Sequence, residues 1–514
     1  MRTSLHHLIE DRARSHPDSP ALTFKHETIS YGALWEQVSG VAAGYVELGV
    51  AREERIAVFL DKRIETVAAI YGTSAAGAAV VPVNPLLRPV QVGHILRDCE
   101  VRVLVTSAER LELMRDELAS CPTIKHVVVV GARIEVQEPD AHYRVHEWEA
   151  VRESTYTVPR PNVSDRDLAV IIYTSGSTGK PKGVMLSHGN AVATSIQPYL
   201  GNTADDVILV ALPLSFDAGF CQLTLAFAAG AHAILMNYLF PGDVPRLCAK
   251  YGVTGITCVA PLWIQIVDQK WPDEAKASLR YFATTGGRMP KTVLEKLREV
   301  FPSATPFLMY GMTEAFRSTY LDPAEVDRRP DSIGKAVPTA EVLVVRPDGS
   351  QCDPGEEGEL VHRGGPHISL GYWNDRERTG ERFRHCGTTE PAVWSGDRAV
   401  TDEEGFIYFI GRRDWMIKTS GYRISPTEVE EVAYATGLVR DAVALGVDDE
   451  TLGQRVRLVV APAVPEFDAE VLLKEMKSRL PLYMVPSSVV VLDTLPRNPN
   501  GKFDRALLRE EFGT

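Results

Sequence analysis

The pattern of apolar and polar positions divides the first 160 residues into helices and short buried strands. Apolar runs rich in branched residues predict strands at 54–60, 102–107 and 126–131, with helical patterns between them. The stretch from Thr66 to Leu87 is apolar enough to suggest a membrane span, but Pro82 and Pro85 interrupt it. We therefore predict a buried helix followed by a buried strand there. The alternation of strands and helices predicts βαβ units around a largely parallel sheet.

The alternation continues into the middle of the chain and then changes. Further strands are predicted at 167–175, 207–214, 251–260 and 280–287. After about Pro338, short strands separated by turn residues predict a β-rich subdomain. From Asp414 onward the chain has a mixed pattern over about one hundred residues, which suits an independent domain.

We predict an α/β protein of two domains. Residues 1–413 are expected to form a large domain of layered parallel β-sheets with helices and a β-rich subdomain, and residues 414–514 a small α+β domain. A chain of 514 residues exceeds what one hydrophobic core usually organises, which agrees with this division.

Charge and cysteine content narrow the function classes. The formal net charge of −13 argues against general nucleic-acid binding, although it allows a local basic site for phosphates. The amino terminus becomes charged at once and lacks the apolar run of a signal peptide. Seven cysteines without a CxxC pair suit a reducing compartment and no structural zinc. We expect a cytoplasmic protein with neither a nucleic-acid nor a membrane partner.

The segment from Thr174 to Gly183 carries the strongest chemical signal. It follows a predicted buried strand and combines glycines, hydroxyl side chains and lysines, which together suit a polyphosphate. Its spacing is neither the Walker pattern nor GxGxxG, so neither a P-loop NTPase nor a Rossmann dehydrogenase is indicated. Composition alone leaves open a flexible surface loop.

Five ordered motifs give the chain a family resemblance. Thr174–Gly183 resembles the phosphate loop of the adenylate-forming superfamily, which includes acyl-CoA synthetases, firefly luciferases and peptide-synthetase adenylation domains. The YGMTE, SGDR, hinge and NGKFDR segments follow in the family's order at 310–314, 395–398, 411–421 and 500–505. The resemblance covers nearly the whole chain. It implies ATP-dependent conversion of a carboxylic acid to an acyl-adenylate and pyrophosphate, followed by transfer to a thiol.

The resemblance implies a role for each motif in binding ATP and Mg²⁺. Adenylation joins a carboxylate to the α-phosphate of ATP. Because these two anions repel each other, the site must neutralise their charge and align them. Thr313 is expected to contact the α-phosphate, and Glu314 to hold Mg²⁺. The other implied ATP or AMP contacts are Thr174, Ser175, Gly176, Ser177, Thr178, Gly179, Lys180 and Lys182 for the β- and γ-phosphates, Tyr310, Gly286 and Gly287 for adenine, and Asp397 and Arg412 for ribose.

Two residues of the carboxyl-terminal part have implied catalytic and mechanical roles. Lys502 lies in a turn rich in proline, asparagine and glycine, and the family uses this lysine to bridge the substrate carboxylate and the α-phosphate. Without the surrounding motif, Lys502 would be interpreted as a surface lysine. Asp414 resembles the family's hinge, which makes the small domain mobile between the two half-reactions.

The acid substrate is less constrained than the nucleotide. Where fatty acyl-CoA synthetases tend to carry a histidine-containing segment, residues 214–218 read LSFDA, similar to a segment of amino-acid adenylation domains whose aspartate pairs with the substrate ammonium. A carboxylate in an apolar stretch is costly to bury without a cation or hydrogen-bond donors. The residues expected to line the acid pocket are Phe216, Asp217, Phe220, Cys221, Thr285 and Arg317.

Two arrangements of Asp217 and Arg317 remain open. In the first, Asp217 binds an amino group and Arg317 a second carboxylate or a carbonyl, as in stand-alone β-amino-acid adenylating enzymes of macrolactam polyketide pathways. In the second, the two side chains pair and the substrate is an uncharged acyl chain, as in acyl-CoA ligases near bacterial polysaccharide and exosortase loci. We favour the first.

The thiol acceptor is either coenzyme A or a carrier protein. Residues 424–430, ISPTEVE, are closer to the CoA ligases than to peptide synthetases. The sequence contains no carrier domain, so a carrier protein is expected to be a separate chain. An inactive adenylate-binding scaffold would predict a damaged phosphate loop or the loss of Lys502, and both are intact. Nothing in the sequence requires a luciferase-like oxygenase.

Overall fold

The computed structural model describes residues 3–131, 141–156, 163–174, 181–412, 415–419, 422–449 and 452–513. Ser175, Gly176, Ser177, Thr178, Gly179 and Lys180 of the predicted phosphate loop and Asp414 of the predicted hinge lie outside these ranges. Within them, no helix has the length and apolar character needed to cross a bilayer.

The amino-terminal part alternates helices and strands, as the apolar pattern predicts. The stretch from Thr66 to Leu87 forms most of a buried helix and then a buried strand, and the strands predicted at 54–60, 102–107 and 126–131 are all present. Serine side chains begin two of the helices by accepting hydrogen bonds from Ala33 N and Arg110 N. The elements are α1 (His7–Ser15), β1 (Pro20–Phe24), β2 (Glu27–Ser30), α2 (Tyr31–Glu47), β3 (Arg55–Phe59), α3 (Ile64–Ala75), β4 (Ala79–Pro82), α4 (Pro89–Asp98), β5 (Val103–Ser107), α5 (Ala108–Ala119), β6 (His126–Val130), β7 (Arg144–Glu147) and α6 (Trp148–Arg152).

The middle part continues the alternation. Its elements are β8 (Leu168–Thr174), β9 (Lys182–Ser187), α7 (His188–Ser195), β10 (Val207–Val210), α8 (Asp217–Ala229), β11 (His232–Leu235), α9 (Asp243–Tyr251), β12 (Gly255–Val259), α10 (Ala260–Ile266), α11 (Asp273–Ser278), β13 (Tyr281–Thr285), α12 (Lys291–Val300) and β14 (Thr305–Tyr310). The strand predicted at 207–214 is shorter than expected. Leu212 N donates to the Gln222 side chain, and Lys62 Nζ donates to Ala211 O and Leu212 O, so this backbone is bonded to side chains and not to a neighbouring strand.

The last third is richer in strands, as predicted. Its elements are β15 (Thr319–Leu321), β16 (Ser332–Ala336), β17 (Glu341–Val345), β18 (Gly358–Arg363), α13 (Arg376–Arg382), β19 (Phe383–His385), β20 (Pro391–Thr401), β21 (Ile407–Arg412), β22 (Ile417–Thr419), β23 (Tyr422–Ile424), α14 (Pro426–Ala435), β24 (Val439–Asp449), β25 (Gly453–Pro462), α15 (Ala469–Arg479), β26 (Ser488–Val491) and α16 (Arg505–Phe512).

Two large sheets enclose a layer of helices. One sheet has the order β7-β6-β5-β3-β4-β8-β9 and is parallel except for the β8–β9 pair. The other has the order β17-β18-β20-β21-β16-β15-β14-β13-β12-β10-β11-β1-β2, and its central strands from β14 to β1 are parallel. Apolar side chains of α2, α3 and α8 form one core with both sheets; Tyr71 on α3, for example, packs edge-to-face on Phe227 of α8. This α/β architecture confirms the predicted fold class.

The carboxyl-terminal residues form a smaller sheet with order β23-β22-β25-β24, and β26 pairs with β25. Helices α14, α15 and α16 accompany this sheet. Contacts with the large domain include two hydrogen bonds: Lys291 N donates to Glu431 Oε1 on α14 at 2.9 Å, and Asn84 Nδ2 donates to Pro499 O at 2.9 Å. The second of these bonds holds the turn that carries Lys502 against the large domain.

Candidate active site

A hairpin presents the two described ends of the predicted phosphate loop. Thr174 ends β8, Lys182 begins β9, and the antiparallel register places them opposite each other. The Lys182 ammonium lies 5.2 Å from the centre of the Tyr372 ring. Burial lowers the pKa of Lys182, and the nearby Arg378 and Arg382 lower it further. The loop therefore leaves the sheet beside a cluster of positive charge.

Tyr372 connects this hairpin to Glu314, and sequence reasoning missed it. Residues 370–373 run along β9: Met185 N donates to Gly371 O at 2.9 Å, and Trp373 N donates to Gly183 O at 2.7 Å. The Tyr372 hydroxyl donates to Glu314 Oε1 at 2.5 Å. One tyrosine thus contacts both the lysine of the phosphate hairpin and the carboxylate of the YGMTE segment.

Arg382 is a second residue that the sequence did not reveal. Burial opposes its charge, but Glu314, Tyr372 and Asp397 are close enough to outweigh burial and raise the pKa of this guanidinium. A Cβ on Gly396 would lie 2.8 Å from Arg382 Nη1, and Gly396 has a φ of 72°, so the glycine of the SGDR segment provides the space. Arg382 is the last residue of α13, and the charged sequence of this helix, RERTGER, is typical of a solvent-exposed helix.

Tyr310, Asp397 and Arg412 form one connected group. The Tyr310 hydroxyl donates to Asp397 Oδ2 at 2.6 Å, and Arg412 Nε lies 3.5 Å from Asp397 Oδ1. The register of β20 and β21 places Asp397 directly opposite Arg412. Burial raises the pKa of Asp397, whereas Arg412 opposes that rise. The Tyr310 ring is nearly parallel to that of His362, with 6.1 Å between ring centres, and burial lowers the pKa of His362 to about 3, so this histidine is neutral.

Lys502 reaches the same region from the small domain. Its turn is closed by a hydrogen bond from Asn498 N to Lys502 O at 2.7 Å. The Lys502 ammonium lies 4.8 Å from the Phe216 ring centre. Gly286 has a φ of 74°, and a Cβ there would lie 2.7 Å from Lys502 Cε, so this position needs glycine to admit the lysine.

The charges around Lys502 link the nucleotide residues to the acid pocket. Burial lowers the pKa of Lys502, and the negative charge of Asp217 opposes that effect most strongly. Asp397 and Glu314 act in the same direction as Asp217, and Arg412 acts against them. The ammonium therefore lies among the carboxylates of three separate motifs.

Asp217 is the first residue of α8 and is buried. Burial raises the pKa of this carboxyl, while Lys502, Arg317 and the Thr313 hydroxyl favour its ionised form. Because Lys62 binds the carbonyls of residues 211 and 212, the segment that leads into Asp217 is held in place from the first sheet. Phe216 packs beside Lys502, whereas Phe220 lies in the core between the sheets.

Arg317 is buried opposite α8. Its Nη1 donates to Thr285 Oγ1 at 3.1 Å, its Nε has no hydrogen-bond partner, and Cys221 is the neighbour that most strongly raises its pKa against the effect of burial. Asp217 contributes to the pKa of Arg317, yet across the described ranges Arg317 forms no ion pair with any carboxylate. The two buried charges are thus close enough to influence each other's pKa, but they do not form an ion pair.

The structure brings together most of the predicted site residues that it describes. Tyr310, Thr313, Glu314, Asp397, Arg412 and Lys502 converge with Phe216, Asp217, Thr285, Gly286 and Arg317, and Cys221 adjoins Arg317. Gly287 is exposed beside Gly286. Thr174 and Lys182 join this group through Tyr372. The arrangement places positive charge, a hard-metal ligand and a mixed-charge pocket next to one another, which suits the joining of a nucleotide phosphate to a carboxylate.

Two protein-family models match the chain. The model of the AMP-binding enzyme matches residues 9–373, and that of the AMP-binding enzyme C-terminal domain matches residues 428–502. Among curated relatives, an L-proline–[L-prolyl-carrier protein] ligase of Streptomyces coelicolor is 33% identical over 523 residues, covering 97% of this chain and 94% of the relative. A long-chain-fatty-acid–CoA ligase of Salmonella typhimurium is 29% identical over 544 residues, covering 99% and 94%.

Solved structures agree with the family models. An anthranilate CoA ligase in complex with anthranoyl-AMP superposes with a TM-score of 0.88 at 22% identity, covering 99% of this chain and 97% of that one. An o-succinylbenzoate coenzyme A synthetase from Bacillus subtilis, in complex with ATP and a magnesium ion, has a TM-score of 0.82 at 26% identity, covering 98% and 99%. The chain belongs to the AMP-binding, adenylate-forming enzyme family and is an AMP-forming ligase that activates an acid as its acyl-adenylate.

Proposed function

We propose that this enzyme adenylates an amino acid of the β-amino-acid type and transfers it to the thiol of a separate carrier protein. The observation that carries the proposal is that Asp217 and Arg317 are both buried in the acid pocket and do not form an ion pair with each other. Arg317 has no ion pair among the described residues, and the cation that most favours ionised Asp217 is Lys502 of the other domain, so each side chain suits a group of opposite charge from the substrate. A substrate with an ammonium group and a second carboxylate or carbonyl supplies both.

The position of Lys502 supports this assignment of charges. Lys502 is the strongest of the neighbouring groups that favour ionised Asp217, but the reacting carboxylate of the acid requires the same ammonium. Once the substrate carboxylate pairs with the Lys502 ammonium, Asp217 needs another cation. A substrate ammonium next to Asp217 would restore the balance, while Arg317 would neutralise the second polar group.

The remaining motif residues are proposed to hold ATP. Thr174 and Lys182, with Ser175–Lys180, bind the β- and γ-phosphates, and Thr313 binds the α-phosphate. Tyr310 together with Gly286 and Gly287 contacts adenine, and Asp397 with Arg412 contacts ribose. Support comes from the Tyr310–Asp397 hydrogen bond and the Asp397–Arg412 pair, which orient these groups before the ligand arrives.

Glu314 is proposed to hold Mg²⁺ together with the phosphates. Its carboxylate is only partly buried and uses Oε1 to accept from Tyr372, so an oxygen ligand of the kind that Mg²⁺ prefers remains available. The ion would supply positive charge against the polyphosphate. Arg382, with its charge stabilised by Glu314 and Asp397, adds a permanent positive charge in the same place.

Residues 414–514 are proposed to move as a unit about Asp414 between adenylation and thiol transfer. The contacts of this unit with the large domain include the hydrogen bond from Lys291 N to Glu431, the approach of Lys502 to Gly286, and apolar packing in which Val429 and Tyr434 share a core with residues of the large domain. Motion of the unit would break and remake these contacts.

An acyl-CoA ligase for an uncharged acid is the second candidate. The ISPTEVE segment at 424–430 and the 29% identity to a long-chain-fatty-acid–CoA ligase favour it. The 33% identity to a prolyl-carrier protein ligase favours an amino acid and a carrier protein.

Pyrophosphate release distinguishes the two candidates. ATP, Mg²⁺ and the enzyme are combined without CoA with α-amino acids, β-amino acids including aspartate and 3-methylaspartate, fatty acids and aryl acids. We expect preference for a β-amino acid, and we expect Asp217→Asn to lower kcat/KM for that acid by about 100-fold, since the variant leaves the ammonium unpaired. Asp205→Asn, at an exposed aspartate only twelve positions away, is the matched control and should be silent.

The opposite result is equally clear. Robust turnover of plain acyl acids, no turnover of any amino acid and no effect of Asp217→Asn on the choice of acid would overturn the proposal in favour of the CoA ligase. Transfer of the preformed adenylate to CoA or to a phosphopantetheinylated carrier protein then identifies the acceptor.

A further inference from the structure

One face of β13 leads away from Arg317. Thr285, which binds Arg317, lies on the same face of β13 as Ala283 and Tyr281, and the last two belong to the core that faces α8. Strand geometry gives about 13 Å from Thr285 to Tyr281, at about 3.3 Å per residue. The side chains along this face are small, Ala283 on the strand and Cys221 on the helix, until the rings of Tyr281 and its neighbours are reached.

Tyr199 closes that far end. Its hydroxyl donates to Gln197 Oε1 at 2.8 Å, and Gln197 Nε2 donates to Cys221 Sγ at 3.0 Å, which connects Tyr199 to the helix that carries Asp217. Arg317 is close enough for its charge to act on the Tyr199 hydroxyl. The same hydroxyl lies 3.8 Å from Met309 Sδ on β14.

Tyr320 supports Tyr199 from the other side. The two rings are stacked, with 4.2 Å between their centres and an angle of 10° between their planes. Tyr320 lies on β15 directly opposite Met309, so the strand register fixes its position. Phe307 completes the contact, with its ring centre 6.3 Å from that of Tyr199.

An open cavity of about 400 Å³ lies beyond these rings. It is lined by Tyr199, Tyr320 and Phe307 and, at its outer rim, by polar groups including Arg280 and Asp322. Tyr199 therefore has one end at the buried Arg317 and Cys221 and one face at a surface cavity.

We propose that the stacked Tyr199–Tyr320 pair is the distal wall of the acid pocket and sets the maximum length of the acid that this enzyme adenylates. The proposal rests on the proposed position of the acid between Asp217 and Arg317. With the wall in place, the pocket holds a short acid. Without it, the pocket would continue into the surface cavity, and an apolar extension of the substrate could pass between α8 and β14.

The test measures pyrophosphate release with acids of increasing length. Two series are used: β-amino acids extended at the carbon remote from the carboxylate, and straight-chain acids without an amino group. Wild type is expected to lose activity beyond a short limit. Tyr199→Ala should raise kcat/KM for acids beyond that limit at least about tenfold while lowering it for the shorter ones, since one missing methylene contact is worth about tenfold or more. Tyr199→Phe keeps the ring, so it should keep the wild-type limit.

Tyr320→Ala provides an independent test, because it removes the support of the wall without touching the hydrogen bond to Gln197. Tyr320→Ala replaces Tyr199→Ala in the test if circular dichroism and the melting temperature show that Tyr199→Ala does not fold. A folded Tyr199→Ala or Tyr320→Ala enzyme that keeps the wild-type length limit in both series would overturn the proposal. A shift in the straight-chain series alone, with amino acids inactive, would support the wall and reject the amine-binding role of Asp217.

Discussion

The nucleotide half and the acid half of the active site neutralise their buried charges in different ways. In the nucleotide half, defined by Tyr310, Glu314, Tyr372, Asp397 and Arg412, each carboxylate already has a partner: Asp397 accepts from Tyr310 and faces Arg412, and Glu314 accepts from Tyr372. We propose that this half holds ATP, and groups that are oriented in advance would suit a constant ligand, because no reorganisation is then needed at the moment of reaction.

The acid half, defined by Asp217, Cys221, Thr285 and Arg317, is incomplete without a ligand. Arg317 has a neutral hydroxyl and a thiol as its close neighbours, and its Nε lacks a partner. Asp217 depends on Lys502, a residue of the other domain. From this difference we propose that the enzyme selects its acid where the protein leaves buried charges for the ligand to neutralise.

Lys502→Ala should have the largest effect, since it removes an ammonium that both halves share. Adenylate formation is expected to fall by about 1,000-fold, within the range for loss of one preorganised charge donor. Thiol transfer from chemically prepared acyl-adenylate should remain largely intact. Single-turnover assays of the two steps measure this, with Lys474→Ala at an exposed position as control. Equal loss of both steps would contradict the role of Lys502.

Arg317→Met tests the acid half alone. We expect kcat/KM for the preferred acid to fall by about 100-fold, since the second anionic group of the substrate loses the buried guanidinium proposed to bind it. The KM for ATP should change little. Arg317→Lys should recover part of the loss, because it restores the charge but not the planar fork. A similar loss toward every acid tested, charged or not, would make Arg317 a structural residue.

Lys62→Met tests whether the buried ammonium that binds the segment before Asp217 makes folding stability depend on pH. Burial lowers the pKa of Lys62 to about 7, below its value in the unfolded chain, so the unfolded state binds more protons between pH 7 and 10. The contribution of Lys62 to the free energy of unfolding therefore rises with pH through that window, by about 1.4 kcal/mol per pH unit. Below pH 7 the full cost of burying the charged ammonium is present. Urea unfolding at pH 7 and pH 9 should show a steeper rise for wild type than for Lys62→Met. Lys270→Met, at an exposed lysine, serves as the control, and equal pH slopes for wild type and Lys62→Met would contradict the prediction.

Tyr372→Phe should have the smallest effect, confined to the nucleotide half. It removes one hydrogen bond to Glu314 and leaves the ring beside Lys182. We expect about a fivefold rise in the KM for ATP or in the Mg²⁺ requirement, since one such hydrogen bond contributes about 1 kcal/mol. Titrating Mg²⁺ at fixed ATP measures it. A change in the choice of acid instead would break the distinction between the two halves.

The fold and the nucleotide half were largely predictable from local sequence. The strands at 54–60 and 102–107 and the helix and strand of 66–87 agree with the structure. The structure also brings Tyr310, Asp397 and Arg412 together, and their contacts with the nucleotide stay a prediction. Each is encoded over a few residues, by apolar periodicity or by a short motif. The strand predicted at 207–214 ended early because Lys62 and Gln222, which bind its backbone, are set by the tertiary fold.

By itself, the sequence determined the α/β class, the order of the motifs and the residue types that an acyl-adenylate requires. Only the tertiary structure decided that Tyr372 and Arg382 join Glu314, that Asp217 and Arg317 lie in one pocket without pairing, and that Tyr199 stacks on Tyr320. The physical reason is distance along the chain. Tyr199 and Tyr320 are brought together by the register of strands and by helices packed across them, and no periodicity within either segment specifies which distant surface it will meet.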